Sequence, residues 1–185
     1  MKSLSIVTVL LVVACIVGVF GCDTSSSPPA NGGDGGGNGG GGNGGGFDPT
    51  IYAGNWTGQW LNTTYTTTGA ASATVTVDQG AGTVSFNMDM DGNVLGGTNP
   101  PPVDFTGTYN ATGATFNATG TVFGDVAATV DANGNISGTL TNLPGGNVNR
   151  VEVTGSLTAT TMNINYTVFF TGGGTANGVL TLNKV

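Results

Sequence analysis

The chain runs to 185 residues with three lysines and arginines, ten aspartates and glutamates and no histidine, a formal net charge of −7. That balance excludes nucleic-acid binding, which needs clustered cations against phosphate, and argues against direct docking on anionic lipid headgroups. The missing histidine excludes Ser/His/Asp and Cys/His catalysis, and with both cysteines confined to the first 22 residues a His- or Cys-based metal site is excluded from the rest of the chain.

In chain order, Lys2 supplies one positive charge, and residues 4–21 then run almost unbroken through Ile6, Val7, Leu10, Leu11, Val12 and Val13 to Phe20. From Asp23 the chain turns abruptly polar. A positive start, an apolar stretch and a small residue at the end describe a secretory signal over residues 1–21. Val19-Phe20-Gly21-Cys22 resembles the lipobox of bacterial lipoproteins, with Phe20 standing where that family usually has a smaller residue. The resemblance implies a diacylglyceryl group on the Cys22 thiol, cleavage before it and acylation of the new N-terminus. Val12-Val13-Ala14-Cys15 also fits the lipobox letters, but cleavage there would leave Ile16 to Phe20 exposed; the polar switch favours Cys22. The alternative is an uncleaved membrane helix, since about 18 apolar residues lie at the short end of the ~17–25 that span a bilayer. Both readings place the remainder outside the cytoplasm on a membrane. With Lys2 removed, Arg150 and Lys184 stand against ten carboxylates, 2 − 10 = −8, and no disulfide remains possible.

Residues 22–46 form the second region. Twelve of the sixteen residues from Asn31 to Gly46 are glycine, a composition that buries no apolar surface and is expected to be disordered. A coil of about 24 residues has an r.m.s. span of roughly 27 Å and reaches about 80 Å fully stretched. It reads either as a leash lifting a domain off the bilayer or as a spacer of unselected length.

Residues 47–185 are long enough for one domain with its own core. No 3.6-residue period occurs. Instead Val84, Phe86, Met88 and Met90 alternate with Ser85, Asn87 and Asp89, and Met162, Ile164, Tyr166, Val168 and Phe170 alternate with Asn163, Asn165 and Thr167. This is the signature of antiparallel strands with one face wet. Strands are predicted at 52–61, 71–78, 83–90, 103–110, 115–123, 126–131, 135–142, 148–158, 161–171 and 175–184. Asn133-Gly134 is the strongest hairpin signal, as a primed turn. Gly124-Asp125 is the weakest, because the residues around it keep one parity, so the count is eight to ten.

Phe105-Thr106-Gly107-Thr108-Tyr109, Ile136-Ser137-Gly138-Thr139-Leu140 and Val153-Thr154-Gly155-Ser156-Leu157 repeat one pattern with an inward glycine. Such glycines serve a sharply coiled sheet or leave room for a ligand; the first is favoured. Consecutive hairpins favour an all-β, antiparallel up-and-down barrel, with a β-sandwich as the alternative. Gly54-Asn55-Trp56 at the start of the first strand resembles the G-x-W of lipocalin and avidin-like (calycin) barrels. That resemblance implies that Trp56 closes the barrel floor and that Lys184, from the last strand, packs across it as a cation–π pair. The alternative is that Trp56 and Trp60 are plain core residues.

No pair of inward acids suited to glycoside hydrolysis is found: Asp78, Asp89, Asp104, Asp125 and Asp131 fall on outward faces or in turns. The domain is therefore expected to be non-catalytic and to need no cofactor. Asn87, Asp89 and Asp91 open like an EF-hand calcium loop, but Thr98 stands at the twelfth position where the loop needs a bidentate Glu. Their simpler reading is a solvent face followed by a turn, with a weak surface calcium site as the alternative. The long 91–102 loop shares an end with 62–70 and 143–147, so that end is the expected mouth. The resulting expectation is a lipid-anchored cell-envelope protein, on the outer membrane, the cell surface or the periplasmic face. Its barrel would bind a small apolar molecule, or an envelope protein or glycan at its rim, through Trp60, Tyr65, Met88, Met90 and Tyr109. The alternatives are a structural envelope lipoprotein with a solid core and a barrel-type inhibitor of a secreted hydrolase.

Overall fold

Alternating apolar and small polar residues give each strand of this chain one dry and one wet face, and a sheet so patterned must curl around its dry side. A computed structural model describes residues 46–94 and 99–185. The signal-like segment 1–21, Cys15, Cys22, the tether up to residue 45 and residues 95–98 of the longest loop lie outside the described residues. Ten strands form: β1 (Gly54–Asn62), β2 (Thr67–Asp78), β3 (Thr83–Met90), β4 (Val103–Asn110), β5 (Gly113–Thr121), β6 (Gly124–Asp131), β7 (Asn135–Thr141), β8 (Val148–Leu157), β9 (Thr161–Phe170) and β10 (Thr175–Lys184). Each pairs antiparallel with its neighbours in sequence, and β1 pairs with β10 to close the barrel. The sandwich alternative is thereby replaced by a closed up-and-down barrel without a free edge. Gly42–Val185 is one compact unit. All ten strands and the core come from it, which meets the requirements for independent folding.

The structure departs from the predicted elements at four places. Residues 49–52 form a 3₁₀ helix rather than the start of β1. Asp48 Oδ1 accepts from the Thr50 backbone N–H (2.9 Å) and from its hydroxyl, and Pro49 takes the first helical position, where no N–H is needed. β2 begins at Thr67, four residues early, because Thr66 turns the chain at φ 56° and Thr67–Thr68 pair with Leu61–Asn62. The β5–β6 turn falls on Val122 and Phe123, ahead of Gly124-Asp125. Gly124 (φ 83°) already opens β6, and the register shift between Ala118 and Thr121 absorbs the parity that suggested one long strand. At Asn133-Gly134 only Gly134 has a positive φ, 79°. The Gly134 N–H donates to the Asp131 carbonyl, so this hairpin carries a three-residue loop rather than a primed two-residue turn.

The outer face is threonine, serine and asparagine, tied across strands by contacts such as Ser85–Thr106 and Thr129–Ser137, both 3.1 Å. Polar outside and apolar inside is the reverse of a membrane-spanning barrel. Among the described residues no helix is long and apolar enough to cross a membrane. Inside, Trp56, Trp60 and Leu182 are fully buried, each side chain contributing about 1.5–3 kcal/mol by leaving water.

The repeated inward glycines mark close strand approach. A Cβ on Gly138 would come within 2.8 Å of the Ala128 Cβ and 2.9 Å of the Ala127 carbonyl oxygen. One on Gly155 would overlap the Asn163 carbonyl, and one on Gly107 the Thr115 carbonyl. The neighbouring backbone occupies that space, as tight coiling requires.

Candidate functional site

The two ends of the barrel are built differently. At one end Phe47 and the 3₁₀ helix fold under the strands. The Phe47 N–H donates to the Ala111 carbonyl (2.8 Å), and the Phe47 and Tyr52 rings lie 5.8 Å apart. Trp56 Nε1 donates to the Tyr52 carbonyl (3.0 Å). Lys184 is the register partner of Trp56. Its Nζ donates to the Ile51 carbonyl (2.9 Å), at the C-terminal end of the 3₁₀ helix, and sits 6.0 Å from the Trp56 ring centroid. That distance is at the outer limit for a cation–π pair, so the carbonyl is the principal partner. The opposite end carries the β1–β2, β3–β4, β5–β6, β7–β8 and β9–β10 connections.

Between the ends the side chains do not meet. A cavity of about 230 Å³ runs from Pro49 and Tyr52 at the closed end to Met90, Val94 and Phe123 at the other. Inner-face residues around it, among them Phe86, Phe116, Val126, Ala128 and Ile164, keep part of their surface uncovered because they face a void. Gly107, Gly138 and Gly155 do not line it. A void of this kind, walled by hydrocarbon, is what an apolar ligand fills.

The residues singled out in the sequence separate on this geometry. Met88 and Met90 line the cavity. Trp60 does not; it is fully buried, and its Nε1 donates to the Asp91 carbonyl (2.7 Å), anchoring the start of the β3–β4 loop over β1. Tyr65 is 58% exposed in the β1–β2 turn. Tyr109 is half-buried against the core and is not part of the lining. Size and aromaticity selected these three, whereas register decides which side chains reach the void. Cys22 lies outside the described residues. Asn87 Nδ2 donates to Asp104 Oδ1 (2.7 Å), its register partner on the outer face of β3 and β4. Asp91 follows β3, with its backbone engaged by Ala70 and Trp60. Among the described residues no three acidic, Cys or His side chains come together in a metal-binding group.

The acids with displaced pKa values are turn caps. Asp125 is held below the usual carboxylate range by the Asn142 side-chain amide and the Gly120 N–H. Asp131 is held down by the Asn135 side chain, then by the Asn135 and Asn133 backbone N–H groups. Arg150 pairs with Glu152 (2.8 Å) and lies 3.6 Å over the Phe169 ring.

The residues that sequence reasoning passed over are Phe86, Phe105, Phe116, Ile164 and Tyr166, all of which line the cavity. Each read as an ordinary inward member of a strand. Tyr166 differs from the rest. Its hydroxyl oxygen is the one buried side-chain nitrogen or oxygen without a hydrogen-bond partner among the described residues. Burial pushes its phenol above the ordinary value.

No family model matches the chain, and no curated protein does. Among solved structures the barrel is similar to a protein of unknown function of the DUF3598 family from Nostoc punctiforme. The identity is 12% and the TM-score 0.52, over 76% of this chain and 50% of that one. The likeness is one of fold. This chain spans about half the length of that protein.

Proposed function

We propose that this chain is a lipid-anchored protein of a bacterial envelope whose barrel binds a small apolar molecule in its interior. The observation that carries the reading is the apolar cavity of about 230 Å³ inside the barrel. Native interiors are close-packed and hold few voids larger than a water molecule. An empty space of this size gives up roughly 24 cal/mol per Å³ in a folded core, so a solid-core structural role does not account for it. The reading is of a non-catalytic carrier or sensor without a cofactor. Attachment rests on the sequence around Cys22, whose lipidation would hold the tether at the membrane, with two or more acyl chains needed for stable anchoring.

The polar, net-acidic outer face and the loops of the open end fit an envelope protein or glycan as a partner at the rim. Native mass spectrometry of the unit 42–185, purified from its own host, tests the binding reading. A co-purifying small molecule is expected; a bare mass after gentle purification, with no uptake of added apolar probes, would overturn it. Fatty-acid labelling that persists in Cys22→Ser would refute that site of attachment.

A further inference from the structure

The reading of an apolar carrier leaves open what kind of molecule the cavity takes. Shape and lining constrain the buried part of that molecule. Val84, Phe86, Met88 and Met90, successive inner residues of β3, all line the void. They span about 20 Å of strand at ~3.3 Å per residue, or roughly 15 Å along the axis of a barrel whose strands tilt by about 35–45°. A volume of about 230 Å³ drawn out over that length has the shape of a single chain. No charged side chain lines it, and its three polar ones, Tyr52, Thr129 and Tyr166, are turned away. The Thr129 hydroxyl meets Ser137 on the outer face. The Tyr52 hydroxyl reaches the β6–β7 turn, and the Tyr166 hydroxyl is packed at the wall over Gly178. Whatever lies inside is therefore hydrocarbon, because a polar group there would lose its water without gaining a partner.

A polar group on the same molecule has one place to stay. At the closed end Phe47, Pro49 and Tyr52 are all buried, whereas at the open end the lining passes to Val94, half-buried in the β3–β4 loop. The charges around that end are mostly of one sign. Asp91 is the only charged residue in its five connections. Asp89, Asp104 and Asp125 stand at the adjoining ends of β3, β4 and β6. Asp89, Asp91 and Asp104 thus belong to β3, the β3–β4 loop and β4, the elements that carry Met90 and Val94. The two cations among the described residues offer no counterweight. Lys184 is held at the closed end by the Ile51 carbonyl, and Arg150 is paired with Glu152. Such a rim attracts a cation and repels an anion within a Debye length of about 8 Å.

We propose that the ligand is a single-chain amphiphile whose alkyl chain fills the bore while a cationic head group, such as an alkylammonium, stays at the acidic open end. An apolar cavity of about 150 Å³ takes one benzene, so this one holds roughly nine carbons of chain. The proposal rests on the carrier reading.

The test titrates the unit 42–185 by calorimetry at neutral pH and low salt. The probes are indane, 1-octanol, octanoate and alkyltrimethylammonium ions of about six to twelve chain carbons. Indane reports on the void alone. Affinity for the cations is expected to rise about fourfold per methylene and to level off near nine carbons. Octyltrimethylammonium should bind about tenfold or more tightly than octanoate, with 1-octanol between them. Ala128→Leu should weaken 1-octanol and the octyl cation together; an unchanged affinity would put the chain on the surface and overturn the proposal. The double variant Asp89→Asn/Asp91→Asn, of the same shape as the native chain, should narrow the preference for cation over anion about threefold. Its affinity for 1-octanol should stay within about twofold, the sign that the barrel is intact. Octanoate bound as tightly as the cation, or a preference that the double variant leaves unchanged, overturns the cationic head. A chain-length series that is flat, or that rises without a plateau, overturns the buried chain. Indane bound while every amphiphile fails overturns this proposal and leaves the carrier reading standing; failure of indane as well overturns both.

Discussion

Ala128→Leu distinguishes a void from a packed wall. Ala128 sits in the middle of β6, lines the cavity and keeps part of its surface uncovered. Leucine there adds three carbons pointing into empty space. At about 0.8 kcal/mol per buried carbon the gain is at most about 2.4 kcal/mol. Ordering the longer side chain costs about 0.5–1 kcal/mol, which leaves a net stabilisation of about 1.5 kcal/mol. Unfolding entropy near 2.1 cal/mol/K per residue over roughly 140 residues gives about 0.3 kcal/mol/K, so Tm should rise about 5 °C. Thermal unfolding of the unit 42–185, followed by circular dichroism without ligand, reads the shift. The same variant should lose affinity for an added apolar probe such as indane, because stability is gained by occupying the binding space. A fall in stability of 1 kcal/mol or more would refute the reasoning, since it would mean that leucine overpacks a wall already in contact.

Other substitutions probe the rest of the account. Tyr166→Phe removes an unsatisfied hydroxyl and should stabilise the ligand-free barrel by about 1 kcal/mol; a loss of stability would reveal a partner for that oxygen. Gly155→Ala places a methyl against the Asn163 carbonyl and 3.0 Å from the Ile164 Cα, and should cost about 1–3 kcal/mol in urea unfolding. A neutral result would show that β8 and β9 separate freely. The carboxylates of Asp48, Asp125 and Asp131 are all held below their ordinary values in the folded state. Their contribution is complete above the unfolded pKa of about 3.9 and is lost as pH falls through the depressed folded values. Tm should therefore be flat down to about pH 5 and fall below about pH 4, and Asp131→Asn should shallow that fall. An unchanged slope in the variant would remove Asp131 from the explanation.

The strands were legible because alternation is a local property. Met162 to Phe170 places apolar residues on every second position, and that settles both the element and its inward face. The first turn of β2 was obscure for the converse reason. Thr67, Thr68, Gly69 and Ala70 show no apolar contrast, and only pairing with β1 makes them a strand. The 3₁₀ helix did have a local signal, Asp48 followed by Pro49, which the neighbouring strand pattern outweighed. The cavity was illegible in principle. Whether ten inner faces fill a barrel depends on register and diameter, and no single strand carries that information. Trp56 and Trp60 are both inward on β1, with Gly58 between them, yet one seals the closed end and the other anchors a loop. Tyr166 acquires its unusual state only because register sets it over Gly178, 12 residues along the chain on the next strand.

The central claim is that the barrel encloses an apolar void open to occupation, and xenon tests it with no assumption about the natural ligand. Crystals of the unit 42–185 held under xenon pressure should show the atom inside the barrel, in contact with Phe86, Phe105 and Ile164. An interior without xenon, filled by repacked side chains or by ordered water, would contradict the account.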